Sequence, residues 1–492
     1  MNAAFISSPA QDLRWRSFWT IAAAITLLRI LTLALTPLGL GPDEAQYWFW
    51  SRDWDFGYFS KPPLIAWAIG TTTAIFGNAE WAVRLSAPFF HFGTAAFLYL
   101  TAQRLFDERA AFWTGLSWLL MPGAILSSFI IATDAPLLLF WSAGLMVLVK
   151  IVDAPTASWR DFALLGAAIG LGMMSKYAMI YFPASLALCL LIPHLRAKLL
   201  RPELLLTALM AAILFAPNVI WNAQHEFQTL AHTAANANWT AELFKPLNLL
   251  EFLAGQFLVF GVIAFAALIW IASKRKTWSD DPKLLMLFVF AMTPLVIVAT
   301  QAFLSRAHAN WAAAAYPAAS LLVVGMLLRY GKDVWVKFNA GVNAALFFIF
   351  TLAALAPSLI DSSGLARAAK DLRGWESQSE EIMAHASGYD AVLVDDRYLI
   401  GEMLYHQRTS DIEIAALDPN GSIDNHFEAF RGFDPARMKR VLFVTTREDA
   451  AHVDYRFRTI IPLGAVTTEP GRGQVRRYTL YELSDYYGPG SN

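Results

Sequence analysis

This sequence has little cysteine and few charged residues, and its net charge is close to zero. Its 1 cysteine, Cys189, lies in an apolar run, which excludes a disulfide scaffold. The 38 lysine and arginine residues nearly balance 39 acidic residues, and the resulting net charge of -1 gives nucleic-acid binding little support. Charged residues fill only 16% of the 492 positions and hydrophobic residues fill 57%, which excludes a disordered chain.

Nucleotide-binding and zinc-binding motifs are also missing. There is no Gly-x-Gly-x-x-Gly after a predicted strand and no Gly-x-x-x-x-Gly-Lys-Ser/Thr loop, which argues against an ATP-driven pump and a nucleotide-sugar donor. The 9 histidines show no His-Glu-x-x-His spacing, so a structural zinc site is disfavoured. No internal repeat supports a transporter built from inverted repeats.

The sequence is instead dominated by long apolar stretches. A helix needs roughly 20 apolar residues to cross the ~30 Å hydrocarbon core of a bilayer, and about eleven stretches are long enough. They lie near 15–37, 81–103, 110–131, 135–151, 160–175, 177–193, 203–221, 248–273, 284–304, 309–329 and 336–358. The sequence therefore predicts a polytopic α-helical membrane protein.

Lysine and arginine clusters predict the orientation of these spans. The N-terminus, with Arg14 and Arg16, and the alternate connections that follow carry the clusters, so this side is expected to be cytoplasmic. After the last span the composition becomes mixed and charged. Residues 1–359 are accordingly assigned to a membrane domain and residues 360–492 to a small α/β domain on the opposite side. Strand-like runs in that domain are Ala391–Val394, Val441–Thr445, Thr459–Pro462 and Tyr478–Glu482, and a helical pattern covers Arg397–His406.

The first loop on the non-cytoplasmic side, about residues 38–80, is rich in acids and aromatic rings. A proline followed by two acids, at Pro42–Glu44, favours a helix start, because carboxylates are stabilised at the positive end of the helix dipole. The aromatic run Tyr47–Trp50 is typical of a helix in the membrane interface. A second apolar segment, 64–76, is too short to span. We therefore expect two interfacial helices in this loop.

Two carboxylates are predicted at the ends of different spans, on this same side of the membrane. Asp43 follows the first span, and Asp134 begins the fourth. Helix capping and solvation would explain either residue. The functional alternative is that each carboxylate binds a sugar hydroxyl or takes a proton, since a carboxylate is already a base at neutral pH.

Two lysines also lie on this face, where the positive-inside rule disfavours them. Lys61 and Lys176 could simply extend their side chains to the membrane interface. The functional alternative is that each ammonium binds the phosphate of a ligand that is reached from the membrane. Asn222 and His308 lie in two further polar stretches of the face. Amides, histidine and tryptophan together suit carbohydrate binding, and a plain membrane-interface belt is the alternative.

Six groups of residues stand in one order within about residues 10–320. They are Asp43-Glu44-Ala45-Gln46-Tyr47-Trp48; Tyr58-Phe59-Ser60-Lys61-Pro62-Pro63-Leu64 with Trp67; Arg84 with Pro88; Thr133-Asp134-Ala135-Pro136-Leu137; Gly170-Leu171-Gly172-Met173-Met174-Ser175-Lys176; and Pro217-Asn218 with Trp221-Asn222. Together they resemble the C-type integral-membrane glycosyltransferases, which share the GT-C fold. The likeness is to the bacterial branch related to protein O-mannosyltransferases and lipid A aminoarabinose transferases.

The resemblance implies roles for single residues. In these enzymes a sugar leaves a polyprenyl-phosphate donor on the outer face of the membrane. Asp43 matches the leading catalytic carboxylate, near the acceptor, and Asp134 matches a second carboxylate in the same cavity. Lys61 matches a lysine that contacts the donor phosphate, and Lys176 matches a further family lysine. Other residues expected to bind substrate are Glu44, Tyr58, Arg84, Asn222 and His308.

The expected reaction is inverting transfer of a sugar to a cell-envelope glycolipid, lipid A or the lipopolysaccharide core, on the periplasmic face of a bacterial inner membrane. Cations near the leaving polyprenyl phosphate would stabilise its growing charge. No motif requires a cofactor, and a divalent metal that bridges carboxylate and phosphate is left open. The chain is short after its last span, which disfavours protein acceptors. Alternatives are a protein O-glycosyltransferase of the same fold, a non-enzymatic polyprenyl-lipid flippase and an assembly subunit.

Overall fold

A computed structural model describes residues 9–156, 158–236, 243–418 and 420–488. The described chain consists of a large helical part followed by a smaller part that contains a sheet. The first helices are α1 (Pro9–Leu35), α2 (Pro42–Trp50), α3 (Leu64–Phe76), α4 (Glu80–Arg84), α5 (Ser86–Leu105), α6 (Glu108–Leu119), α7 (Pro122–Phe129), α8 (Asp134–Asp153) and α9 (Trp159–Ser175). The next are α10 (Tyr181–Cys189), α11 (Pro193–Leu199), α12 (Leu204–Gln224), α13 (Gln228–Asn236), α14 (Pro246–Val259), α15 (Val262–Ser273), α16 (Pro282–Leu304), α17 (Tyr316–Arg329) and α18 (Asp333–Leu355).

Within the described ranges, 6 helices are long and apolar enough to cross a membrane. They are Trp15–Leu35, Asp134–Asp153, Leu204–Gln224, Pro282–Leu304, Ala309–Arg329 and Asp333–Leu355. The number rises to 9 if each of three bent helix pairs forms one span. Two other predicted spans correspond to α5 and α9, which are not in this set. A multi-pass helical architecture is thus confirmed, and the number of eleven spans stays a prediction.

The bent pairs have local causes in the sequence. The stretch predicted as one span at 248–273 is broken between α14 and α15, which meet at 116°. Gly261 stands at the break with a φ of 98°, a left-handed conformation that only glycine adopts at little cost. The segment Tyr177–Cys189 and α11 meet at 115°, and Pro193 opens α11. A proline disfavours helical backbone in the residue before it, and Ile192 is accordingly extended, so α10, which ends at Cys189, cannot run on into α11.

Aromatic rings pack the core of the helical part and fix the helix that carries Asp134. Trp141 of α8 lies edge-on to Phe182 of α10, with ring centroids 5.1 Å apart. Phe182 in turn lies 4.8 Å from Phe290 of α16. A Cβ atom at Gly144 would come within 2.9 Å of the Phe182 ring, so this glycine allows the close approach. These contacts pack the middle of α8, the helix that begins at Asp134, against α10 and, through Phe182, against α16.

The predicted helices of the first loop are present as α2 and α3, joined by a turn in which Tyr58 and Lys61 form an isolated bridge. Their inner faces form a small cluster of buried residues that includes Ala45, Trp48 and Ile65. With 13 residues, α3 is too short to span a membrane. The loop is therefore a packed layer at one end of the helical part.

The C-terminal part contains the helices α19 (Ser358–Ser362), α20 (Trp375–Ala384), α21 (Arg397–His406) and α22 (His426–Phe430). Its strands are β1 (Ala391–Val394), β2 (Glu413–Ala416), β3 (Arg440–Thr445), β4 (Phe457–Gly471) and β5 (Gln474–Tyr486). The sheet order is β2-β1-β3-β5-β4. Strand β1 is parallel to β2 and β3, and β5 is antiparallel to β3 and β4. The predicted C-terminal sheet is confirmed, and β2 is a strand that the sequence did not indicate.

The sheet docks onto the helical part through α21, which packs against α2. Trp48 and Tyr405 meet edge-to-face with centroids 5.0 Å apart. Gly401 faces the start of α2, where a Cβ atom would lie in ordinary van der Waals contact with the backbone nitrogen of Gln46, at 3.7 Å. Ligands of open α/β sheets bind outside the carboxyl ends of the strands. The segments that follow β1 and β2 are directed by this docking toward the start of α2.

Candidate active site

The start of α2 presents one acid to a cavity and buries the next. Pro42 occupies the first turn, and the Glu44 carboxylate accepts a 2.9 Å hydrogen bond from the backbone N–H of Gly41. The Asp43 side chain is 64% exposed, whereas that of Glu44 is 1% exposed. Both carboxylates benefit from the positive end of the helix. Only Asp43 is available to a ligand in this arrangement.

Glu44 and Arg84 form a buried ion pair that does not face the cavity. The two Glu44 oxygens accept hydrogen bonds of 2.8 and 2.6 Å from the guanidinium. One of them also accepts from the backbone N–H of Ile131 at 2.9 Å. Arg84 further donates to the carbonyl oxygens of Leu38 and Gly39. The pair thus ties the entry of α2 to the segment before α8, and it positions Asp43 and Asp134 rather than meeting substrate in this conformation.

The second carboxylate, Asp134, opens α8 and is held by two partners. Its Oδ1 atom lies 2.8 Å from the Lys176 ammonium, and its Oδ2 accepts a hydrogen bond from Asn310 at 3.2 Å. Lys176 stands in extended backbone between α9 and a short helical turn, Tyr177–Ile180. Asp134 is 11% exposed and Lys176 is 19% exposed, so the pair is largely withdrawn from water.

Lys61 enters the same cavity from the turn between α2 and α3. In the described part of the chain its ammonium forms no ion pair. The pKa of Lys61 is lowered by burial and then by the Lys176 ammonium, while Asp43 and Asp134 act in the opposite direction. Unsatisfied positive charge at the wall of a cavity is what a phosphate group would bind.

These side chains line a cavity of about 540 Å³. Five of the predicted site residues meet there: Asp43, Lys61, Asp134, Lys176 and His308. The helical part also contributes Gln46, Tyr47, Phe59 and Trp311. Burial, and then the Asp43 charge, raise the pKa of Tyr47 well above its usual value, so its hydroxyl stays protonated as a donor. The cavity therefore combines carboxylates, ammonium groups and aromatic walls, and so can bind a polar or charged ligand.

Tyr58 and Asn222 do not line this cavity. Tyr58 stacks on Trp50 at 5.0 Å and donates its hydroxyl to the carbonyl oxygen of Asp53. Asn222 is buried in α12, where its amide donates to the Tyr177 hydroxyl at 3.2 Å. Tyr58 instead lines a second cavity of about 900 Å³ between the first loop and the sheet domain.

The C-terminal part supplies residues that the sequence did not single out. Arg397 and Tyr398 follow β1, and Asp424, Asn425 and His426 follow β2; all five line the cavity. Burial lowers the pKa of His426 to about 3, so its ring is neutral at physiological pH. His426 also lines the second cavity and so stands in the wall between the two. The signal that could have found these residues is their place at the carboxyl ends of parallel strands.

Arg397 connects the two parts of the chain at the predicted catalytic acid. Its Nη2 lies 3.1 Å from Asp43 Oδ1, and its Nη1 donates to Gln46 at 2.7 Å. The guanidinium also lies over the ring of Tyr398. Asp43 is therefore oriented by the guanidinium through Oδ1, and its Oδ2 accepts no hydrogen bond from the residues that the structure describes.

Comparison with known proteins identifies relatives of this chain. Residues 60–221 match the family described as Dolichyl-phosphate-mannose-protein mannosyltransferase. The lipid A galacturonosyltransferase RgtD of Rhizobium johnstonii is 32% identical over 435 residues, which cover 87% of this chain and 91% of the relative. The undecaprenyl phosphate-alpha-4-amino-4-deoxy-L-arabinose arabinosyl transferase of Aeromonas salmonicida is 27% identical and covers 69% of this chain and 65% of that protein.

Solved structures share the fold. ArnT from Cupriavidus metallidurans bound to undecaprenyl phosphate has a TM-score of 0.65 at 16% identity and covers 95% of this chain and 98% of that one. The archaeal oligosaccharyltransferase AglB from Archaeoglobus fulgidus has a TM-score of 0.54 at 14% identity and covers 96% of this chain and 74% of that one. At such identities the likeness is one of fold.

Proposed function

This chain belongs to the GT-C membrane glycosyltransferases, in the family that includes the lipid A galacturonosyltransferase RgtD, and we propose on that premise which transfer it performs. The proposed donor is a sugar on a polyprenyl phosphate, and the proposed acceptor is lipid A or the lipopolysaccharide core. The observation that carries the proposal is the meeting of Asp43, Lys61, Asp134 and Lys176 in one cavity.

The acceptor side of the reaction is assigned to Asp43. Its free carboxylate oxygen would accept the proton of an acceptor hydroxyl, or hold the acceptor in place if that group is a phosphate. Attack on the anomeric carbon from the side opposite the leaving phosphate inverts the configuration there. Arg397 keeps Asp43 in a single orientation, so that little rearrangement precedes the attack.

The donor side is assigned to Lys61, with Lys176 as its neighbour. The bond between the anomeric carbon and the phosphate oxygen breaks, and negative charge grows on the leaving polyprenyl phosphate. An ammonium that is already partly desolvated stabilises this charge strongly, because little solvent has to rearrange. Asp134 holds Lys176 at 2.8 Å and so places the second cation.

A divalent metal does not fit the carboxylates of this cavity. Arg397 already neutralises Asp43, and Lys176 already neutralises Asp134. Among the residues that the structure describes, no group of three or more histidine, cysteine, aspartate or glutamate side chains could hold a metal ion. The proposed mechanism therefore uses the cations of the chain itself.

The location of the reaction is part of the proposal. Lipid A and the core saccharide are exposed in the periplasm, so we place the cavity and residues 360–492 on the periplasmic face of a bacterial inner membrane. Residues 1–359 then form the membrane domain. The distribution of lysine and arginine along the chain supports this orientation.

Lys61 is expected to set an alkaline limit to donor binding. Lysine carries its charge below its pKa, and in this protein that pKa is lowered from 10.5. We expect kcat/KM for the donor to fall as the pH rises through this lowered pKa, because kcat/KM reports the free enzyme. The corresponding fall in kcat, which reports the enzyme with donor bound, should occur at higher pH, because a bound phosphate stabilises the charged form of Lys61. The measurement is a pH profile of transfer between about pH 7 and 10.5.

Lys61→Arg provides the comparison for this profile. A guanidinium keeps its charge throughout the range, so the alkaline limb in kcat/KM should disappear in this variant. Lys439→Arg, at an exposed lysine of the sheet domain, should leave the limb where it is. An unchanged limb in Lys61→Arg would remove Lys61 from donor binding.

The transfer itself is tested with the purified protein in nanodiscs. A panel of polyprenyl-phosphate sugars is mixed with a glycolipid extract that contains lipid A and core saccharide, and products are read by mass spectrometry. A gain of one sugar on a lipid A species is expected, and its mass names the sugar. A gain on protein instead of glycolipid would replace the proposed acceptor, and protein-dependent flipping of donor without transfer would replace the proposed activity.

A further inference from the structure

The C-terminal sheet domain places a guanidinium beside the predicted catalytic acid. Asp396 caps the start of α21 by accepting a hydrogen bond from the backbone N–H of Leu399 at 2.8 Å. The next residue, Arg397, projects its side chain across the domain boundary to Asp43 and Gln46. That side chain is 34% exposed, and it lines the cavity.

The contacts of Arg397 leave some N–H donors of its guanidinium group without a partner among the described residues. A guanidinium has five N–H donors in a rigid plane. Asp43 and Gln46 each receive one hydrogen bond, the contact with Asp43 uses a single carboxylate oxygen, and the Tyr398 side chain is a third partner. Arginine that serves only to neutralise a carboxylate commonly pairs with both of its oxygens. Arg397 can therefore hold Asp43 and still offer donors to a second anion in the cavity.

The other charges of the cavity favour an anion at Arg397. Lys176 is engaged by Asp134, and Lys61 is assigned to the phosphate in the proposed mechanism. Asp424, a third acid at the wall, takes its hydrogen bonds from Asn420 and Ser422 of its own loop. A guanidinium fork can bind either a phosphate or a carboxylate in a bidentate manner. Because Lys61 already supplies the charge for the phosphate in the proposed mechanism, the fork of Arg397 is left for a carboxylate.

We propose that Arg397 binds the carboxylate of an acidic donor sugar, a hexuronic acid, and so determines which sugar is transferred. The inference rests on the proposed function and deepens it. A neutral hexose would leave the free donors of Arg397 without an anion, and a sugar that carries an ammonium group would be repelled by the guanidinium. The name of the relative RgtD, a galacturonosyltransferase, is consistent with a uronic acid.

The test compares two donors that differ only at C6 of the sugar, a polyprenyl-phosphate hexuronic acid and the matching polyprenyl-phosphate hexose. The wild-type protein should prefer the acidic donor. Arg397→Gln should lower kcat/KM for the acidic donor about 100-fold more than for the hexose, in the range expected for a lost charge-assisted hydrogen bond. Arg397→Lys, which keeps the charge but loses the fork, should fall between the two.

A role confined to orienting Asp43 predicts a different result. In that case Arg397→Gln would lower transfer from both donors by the same factor, and the specificity proposal would be overturned. Arg437→Gln serves as the matched control, because this exposed arginine of the same domain pairs only with Glu413 and Asp434 among the described residues. It should leave the ratio of the two donors unchanged.

Binding without an acceptor separates this proposal from the proposed function. The affinities of both donors and of unsubstituted polyprenyl phosphate are measured in nanodiscs, with no turnover required. The proposal expects Arg397→Gln to weaken the acidic donor and to leave polyprenyl phosphate within about threefold, because Lys61 still binds the phosphate. Equal affinity of wild-type and variant protein for the acidic donor would overturn it, whether or not transfer is observed.

Discussion

Replacing Asp43 with asparagine is expected to lower transfer by about three orders of magnitude, the range for a lost general base. Asparagine fills the same space and can still accept a hydrogen bond from Arg397, so the cavity should keep its shape. It cannot take a proton from an acceptor hydroxyl. The effect should therefore appear in kcat, with the KM for the donor changed little. The measurement is steady-state transfer by Asp43→Asn beside the wild-type protein.

The control for this variant is Asp280→Asn. Asp280 is exposed in the turn before α16 and does not line the cavity, so its replacement should leave transfer unchanged. Equal thermal unfolding midpoints of the three proteins would show that Asp43→Asn is folded. Turnover at the wild-type rate in folded Asp43→Asn would mean that Asp43 takes no part in the reaction.

Replacing Glu44 with glutamine is expected to have the largest effect on stability. The change leaves the Arg84 guanidinium, which is fully buried, without its counter-charge. Breaking a buried ion pair by removing one partner costs about 3–5 kcal/mol of unfolding free energy. The loss should appear as a lower unfolding midpoint in detergent and as less folded protein after purification.

A double variant and a control at an exposed arginine test this interpretation of Glu44→Gln. In Glu44→Gln with Arg84→Met no charge stays buried, so part of the lost stability should return. Arg437→Gln removes two exposed ion pairs, with Glu413 and Asp434, and should leave the unfolding midpoint close to that of the wild-type protein. If Glu44→Gln unfolds at the wild-type midpoint, the pair is not what ties α2 to the segment before α8.

The fold could be predicted where its signal is local. The strand at 391–394 and the helix at 397–406 match β1 and α21 residue for residue, because an apolar run and a helical pattern stand side by side there. Strand β2 was missed, since its four residues include two alanines and carry little β-propensity. The break at Gly261 was missed because apolar residues flank it on both sides, and only its positive φ shows that the helix cannot continue.

The site could be predicted in part for the same reason. Asp43, Lys61, Asp134 and Lys176 each stand next to an apolar run, so the topology placed them on one face. Their meeting in one cavity depends on packing, which composition does not describe. Glu44 and Arg84 were expected to bind substrate, but charges that are 40 positions apart reveal their pairing only when their burial is known.

Arg397 shows what sequence patterns could not supply. It opens a correctly predicted helix directly after a correctly predicted strand, and the carboxyl end of a strand is a common place for a ligand. What the sequence did not indicate is that this edge of the sheet meets α2. That docking includes the edge-to-face contact of Trp48 with Tyr405, which forms no sequence motif.

The contact between Arg397 and Asp43 joins residues that are 354 positions apart. During synthesis, Asp43 leaves the ribosome early, and its partner follows only after all the predicted spans. Contacts of such long sequence separation form late in folding. A nascent or truncated chain therefore holds an acid that is not yet oriented and a cavity that lacks one wall. We therefore expect a chain that lacks residues 360–492 to insert with an incomplete cavity and not to consume the lipid-linked sugar.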